Sequence, residues 1–322
     1  MKQKKIDLKK YASWIIFIVL VVFFSATTPN FRTAGNMITI LRQVSIIGIM
    51  SVGMAMVLLT GGLDLSIGAQ IGLTSTFTAM LIVQMGISPV VSILLGLLLC
   101  TFIGFVNGMI ITYTGMPAMI ATLGMTNVIR GLAYIITGGI PVYGLPPAVA
   151  QIGQGHVGSI PIPVIIMAVI ILAGGFVLNK TFFGRYIYAL GSNKEAARLS
   201  GLKVNQIQVL VYTICGFLVG IAGIVMMGRV NSGQPIAGQH MEMDAITACV
   251  VGGCSSTGGE GRVFGILGGV LVMGVLSNGM AVMGLSEYPQ MVMKGLVLIL
   301  AVGFDHLSRR HVKKNKKAGS AA

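Results

Sequence analysis

Residues Lys180 to Gln208 read KTFFGRYIYALGSNKEAARLSGLKVNQIQ, a charged interior loop between apolar stretches long enough to cross a membrane. Lys180, Arg185, Lys194, Arg198 and Lys203 stand there against one acid, Glu195. The loop's middle carries the marks of a short helix. Ser192 and Glu195 have the S-x-x-E spacing of a capping box, and Gly201 sits where a left-handed C-terminal cap belongs. A capped helix kept inside a basic membrane loop is suited to touching a soluble partner.

Composition agrees with this frame. Of 322 residues, 55% are hydrophobic and 9% charged, and the mean hydropathy is +0.90. Soluble domains carry about 25% charged residues. The 45 glycines also fit transmembrane helices better than soluble ones. The expected fold is an all-α polytopic membrane protein with about ten transmembrane helices, some of them Gly-broken. The spans are read near 11–27, 44–60, 66–85, 89–111, 117–138, 161–179, 207–228, 244–258, 263–284 and 288–307. This leaves a basic tail at 1–10, one transmembrane domain at 11–307 that includes the 180–208 loop, and a basic tail at 308–322. The N-terminus looks like a signal peptide, but no clear A-x-A site follows, so an uncleaved first span is expected.

The net charge of +14 reads as membrane topology, with no nucleic-acid partner. Ten spans with a cytoplasmic N-terminus place both tails, the 180–208 loop and the Arg262 turn on one side. Those regions hold 17 of the 22 Lys and Arg residues, which satisfies the positive-inside rule only with both termini cytoplasmic. The chain is thus expected to cross a membrane many times, embedded in lipid. Residues 139–160 and 229–243 then face outward as connectors rich in Gly, Pro and Gln, able to dock an external partner or simply to link spans.

Two glycine motifs interrupt the spans. The first runs from Thr60 to Gly68 as TGGLDLSIG. Gly61 and Gly62 allow the backbone to break there, and Asp64 suits an N-cap for the next helix, a role in gating or ligand passage, or both. The second runs from Val251 to Arg262 as VGGCSSTGGEGR, with Gly252 and Gly253 at its head. It is too glycine-rich to continue a helix. Its order is wrong for a phosphate-binding P-loop, and the near miss at 174–181 has Asn179 in place of the needed Gly. Gly104/Gly108, Gly216/Gly220 and Gly265/Gly269 read as close helix packing.

Polar groups within spans are few. Ser66, Gln70, Asn107 and Asn278 join Gly61, Gly62, Asp64, Gly252 and Gly253 as candidates for the translocation path or its gate. Hydroxyls and amides suit a neutral, hydroxyl-rich solute. No acid sits mid-span, which argues against ion-driven transport. Arg130 and Lys294 either snorkel or pair with carboxylates. Cys100, Cys215, Cys249 and Cys254 read as packing residues, with neither disulfide nor metal. No catalytic motif is present, and neither a catalytic residue nor a bound metal is expected.

Glu195-Ala196-Ala197 followed by Gly201 is similar to the E-A-A-x-x-x-G signature of ABC-importer permeases. With the 61–68 motif, the 184–191 run GRYIYALG, and Asp244-Ala245-Ile246 ahead of the second glycine run, the chain resembles the ribose-type sugar permeases of the branched-chain amino acid/ribose permease family. That resemblance implies a dimer of permeases, identical or not, a cytoplasmic ABC ATPase and an extracellular sugar-binding protein. ATP and Mg would be held by the ATPase and no cofactor by this chain. Ser192, Glu195, Ala196, Ala197 and Gly201 would form the coupling helix. Ribose is the first substrate the resemblance suggests. Xylose, a galactoside or inositol stays open, as does an ATP-independent channel or secondary transporter.

Overall fold

The computed structural model describes residues 8–319, and the side chains of 11–306. The tail expected at 1–10 lies almost wholly outside the described residues, and the side chains of 308–322 lie outside them too. The chain is helical almost throughout. Its helices are α1 Leu8–Thr27, α2 Ala34–Leu59, α3 Ile67–Val83, α4 Pro89–Thr114, α5 Ala118–Thr137, α6 Pro147–Gln154, α7 Ile162–Lys180, α8 Phe182–Ser192, α9 Lys194–Leu199, α10 Val204–Val230, α11 Met241–Val251, α12 Val263–Val282 and α13 Glu287–Gly319. By length and composition, seven among the described residues can cross a membrane: α2, α4, α5, α7, α10, α12 and the Glu287–His306 part of α13. Tyr11–Thr27 of α1 and α3 are shorter apolar helices.

Burial sorts the helices into an inner and an outer set. In α2 and α12, 83% of the most apolar stretch is buried, against 0% in α13. The outer helices turn large apolar side chains outward at helical spacing: Leu94, Leu98 and Phe102 on α4, Leu172 and Phe176 on α7, Val292, Leu296 and Ile299 on α13. Apolar faces on the outside of an apolar bundle are stable against hydrocarbon and not against water. The expected glycine pairs make two seams. Gly104 and Gly108 of α4 face Gly216 and Val209 of α10, and Gly265 and Gly269 of α12 face Gly252, which caps α11, and Ala248 within α11. A Cβ on Gly108 would lie 2.8 Å from Val209 Cα, so only glycine lets these backbones approach.

Several boundaries differ from those expected. Helix α2 begins ten residues early: Thr33 Oγ1 accepts the Asn36 N–H at 3.3 Å and caps it, and the helix runs through the polar Arg42-Gln43 pair after which hydropathy starts the span. The span expected at 244–258 is an eleven-residue helix. At 1.5 Å per residue that is about 16 Å, roughly half the hydrocarbon thickness. The chain then turns through Gly253, Gly258 and Gly259, all with positive φ. The connector at 139–160 carries α6 and a two-stranded hairpin, β1 His156–Val157 paired with β2 Ile160–Pro161. The 180–208 loop contains a second helix, α8, ahead of the expected one.

One structural unit occurs twice. Helix α2 ends with Gly61 at φ +79, where Gly61 N–H bonds Leu58 O and Gly62 N–H bonds Val57 O. Helix α11 ends with Gly253 at φ +85, where Gly253 N–H bonds Val250 O and Cys254 N–H bonds Cys249 O. Both are Schellman caps. The helices that follow, α3 and α12, run into Met85-Gly86-Ile87-Ser88 and Met283-Gly284-Leu285-Ser286, with positive φ at Gly86 and Gly284.

Candidate functional site

Helix α8 starts where Thr181 Oγ1 accepts Gly184 N–H at 3.2 Å. It ends at Ser192, whose hydroxyl donates back to Tyr188 O at 2.8 Å within the same helix. Ser192 is therefore not the cap of α9, and the expected capping box does not form. Asn193 turns to an extended φ of −161° and its Oδ1 accepts Ala196 N–H at 3.0 Å. Ser and Asn are both good caps, and α8 running one residue further decides between them. The C-terminus matches expectation. Gly201 has φ +82, its N–H bonds Arg198 O, and Leu202 N–H bonds Ala197 O. Of α9 only Ala197 is buried. Leu199 is 81% exposed and lies one turn beyond Glu195 and Ala196.

The lead-in to α9 rests on both glycine breaks. Gly259 N–H donates to Leu59 O at 2.9 Å. A Cβ on Gly258 would lie 2.8 Å from Gly61 N and 3.1 Å from Gly191 O. One on Gly259 would lie 3.0 Å from Ser192 Cα. Tyr188 Oη donates to Gly261 O at 2.9 Å; burial raises the phenol's pKa and keeps it a donor. Residues 59–62, 188–192 and 257–261 thus interlock largely backbone to backbone. The polar Ser255-Ser256 pair, which no sequence pattern explains, has a place here. Ser255 Oγ accepts Thr257 N–H at 3.1 Å, and Ser256 Oγ donates to Asp305 Oδ2 at 3.2 Å, tying the break to α13. Gly252 and Gly253 sit apart from the contact itself. Gly252 packs on Gly265, and Gly253 faces open space in the cap of α11.

A second group lies within the bundle. Asp64 Oδ1 accepts Ser66 N–H at 2.9 Å and the Ser66 hydroxyl at 2.6 Å. Ser66 Oγ in turn accepts Gln70 Nε2 at 2.8 Å and Asn107 Nδ2 at 2.9 Å. Cys100 Sγ donates to Gln70 Oε1 at 3.1 Å. All five residues are buried. Asp64 does not cap α3 as expected: the N-cap position is Ser66, and Asp64 closes an Asx-type turn two residues earlier. Asn278 is not part of this group. It exchanges two amide hydrogen bonds of 2.9 Å with Asn36, elsewhere in the bundle.

Two cations receive partners that sequence reading leaves open. Lys294 pairs with Asp244 at 2.7 Å. Arg130 Nη1 donates to the carbonyls of Pro235 and Ala237 at 2.7 and 3.1 Å. The 139–160 and 229–243 connectors are joined to each other. Val142 and Gly233 bridge backbone to backbone, and Gln154 Nε2 donates to Arg229 O at 3.0 Å.

An apolar-faced helical bundle with broken helices defines a polytopic membrane protein. Residues 36–302 match the family described as branched-chain amino acid transport system / permease component, and the chain belongs to that family. It is 42% identical over 303 residues to the ribose import permease protein of Escherichia coli (strain K12), covering 93% of this chain and 94% of that one. The ribose import permease protein of Bacillus subtilis (strain 168) is 40% identical over 310 residues, covering 94% and 96%. The xylose transport system permease protein of Escherichia coli (strain K12) is 31% identical over 369 residues, covering 95% and 94%. No solved structure matches the chain.

Proposed function

We propose that this chain is the permease subunit of an ATP-driven importer for a monosaccharide, with ribose as the substrate. It sits in the cytoplasmic membrane of a prokaryote with both termini and α9 in the cytoplasm, in ten membrane segments of which α11 goes only part of the way. Two permeases, identical or paired with a relative, enclose the path. An external sugar-binding protein delivers the solute, and the joined connectors 139–160 and 229–243 form its landing surface. A separate cytoplasmic ATPase holds ATP and Mg; the chain itself performs no chemistry.

The observation that carries this reading is the placement of α9. Its exposed Glu195, Ala196 and Leu199 face seats on the ATPase, and Asn193 and Gly201 fix its two ends. A push on α9 passes through Ser192 and Gly191 to Leu59–Gly62, the end of α2, and to Thr257–Gly261, the turn between α11 and α12. These are the helices that change between the two access states, so the partner biases a two-state element. Gly61, Gly62, Gly252 and Gly253 serve as the breaks about which those helices are re-aimed. Asp64, Ser66, Gln70 and Asn107 hold the closed state together, and Asn278 pins α12 to α2. The relatives named for ribose are more similar than the one named for xylose, which supports ribose.

The test is uptake of labelled ribose into vesicles reconstituted with permease, ATPase and binding protein, comparing wild type with Leu199→Asp. Leu199 supports no core, so the variant is expected to insert normally. It should lose ATPase co-purification and lower ATP-dependent uptake by about tenfold, the effect of about 1.4 kcal/mol lost from docking. Uptake by wild type without ATP overturns the importer reading. Normal uptake by the variant overturns the role of α9. Uptake of xylose in place of ribose corrects the substrate alone.

A further inference from the structure

Two cavities of about 340 Å³ each adjoin α9 and share Leu202, Lys203 and Gln206. They differ in chemistry. The first adds Tyr113, Arg198 and Asn205 and is polar and basic. The second adds Phe183, Tyr186, Ile207 and Leu210 and is largely apolar. Their level in the fold is set by two spans. Tyr113 is in the last turn of α4, and Val204, which also lines the first cavity, opens α10. The basic cavity therefore stands where spans emerge, and the apolar one runs alongside the first turns of α10.

We propose that these joined cavities bind one anionic phospholipid. Its phosphodiester headgroup sits between Arg198 and Lys203, and the start of one acyl chain lies along Phe183, Ile207 and Leu210. Charge complementarity selects the headgroup. No acid lines either cavity, and neither Arg198 nor Lys203 forms an ion pair among the described residues. Each cation near a membrane surface attracts anionic lipid by about 1 kcal/mol. Tyr113, 61% exposed at the span's end, is the interfacial aromatic such a site uses. The ATPase is the alternative occupant; Arg198 stands about 100° around the helix from Leu199 and about 60° from Glu195, at 3.6 residues per turn, and so flanks the proposed contact face. The lipid would thus hold α9 from beside its contact face. The inference needs α4 and α10 to cross a membrane and nothing about the ATPase or the sugar.

The experiment uses the full chain alone, purified in mild detergent and mixed with phosphatidylglycerol or phosphatidylcholine, with bound lipid read by native mass spectrometry. Wild type should retain phosphatidylglycerol and not phosphatidylcholine. The double variant Arg198→Gln, Lys203→Gln should weaken retention by about thirtyfold, two contacts at about 1 kcal/mol each. The control variant Lys180→Gln, Arg185→Gln removes two cations of the same loop that do not line either cavity and should retain lipid as wild type does. Equal retention of both lipids overturns the proposal, as does equal loss in both double variants or none in the first. Because no ATPase is present, failure of the coupling reading leaves this outcome unaffected.

Discussion

Ser66 shows how a single small side chain can hold a bundle together. Its hydroxyl donates to Asp64 and accepts from Gln70 and Asn107, so three segments meet on one oxygen. Ser66→Ala leaves two buried amide donors without that acceptor, at about 1–3 kcal/mol each. The expected result is a drop of several degrees in the detergent melting temperature, read by tryptophan fluorescence or scanning fluorimetry, while Ser200→Ala on the exposed side of α9 changes it little. Lys294 gives a second residue-scale expectation. Lys294→Met strands the Asp244 carboxylate, which costs about 3–5 kcal/mol, and pairing it with Asp244→Leu should restore most of the lost stability. Neither partnership was visible in sequence. Asn107 is 41 positions from Ser66, and Lys294 is 50 from Asp244. Both were singled out as intramembrane polar residues, but only the packing of α3 on α4 and of α11 on α13 says whom they meet.

At the scale of elements, the glycine spacings were legible and their purpose held: Gly104/Gly108 and Gly216/Gly220 are the two sides of one seam. Gly108→Leu should separate α4 from α10, with overpacking of about 1–3 kcal/mol, and lower the yield of monodisperse protein in size-exclusion chromatography. The short, Gly-broken span at α11 was legible in the 251–262 glycine run; the form of its ending was not. Its apolar run resembles that of a short span, and what stops it is a Schellman cap at Gly253 that depends on backbone angles. The start of α9 was misread by one residue for a similar reason. Ser192 and Asn193 have nearly equal capping strength, and only the end of α8 separates them. At the junction, Gly191→Ala would drive a methyl into the Leu59 carbonyl. Gly201→Ala meets no neighbour and pays only for its positive φ, about 1–2 kcal/mol. The first variant should lose ATP-dependent uptake and thermal stability together, the second mainly uptake.

The whole molecule is described by two facts: a core of α2, α3, α10 and α12, and an outer set whose apolar faces look away from it. That it is a membrane protein was plain from composition, since a chain with 9% charged residues cannot clothe a soluble surface. Its proposed orientation has a direct check. All four native cysteines are buried and free, so they leave a silent background. A cysteine placed at Ser200 should react with a membrane-impermeant maleimide in inside-out vesicles and stay unlabelled in right-side-out ones. The opposite pattern would reverse every assignment of side made above.

The interlock of residues 59–62, 188–192 and 257–261 has a consequence for how such a protein can change. Because it is built mostly from main-chain atoms and glycines, it has little chemistry of its own and is indifferent to the solute. Mutations that reshape the solute's route need not disturb it, provided the glycines stay. For a permease driven through α9 as proposed, drive and cargo are thereby uncoupled in heredity: a lineage can exchange one sugar for another and keep its engine, and an engineer grafting a new selectivity onto this scaffold should leave those three stretches untouched.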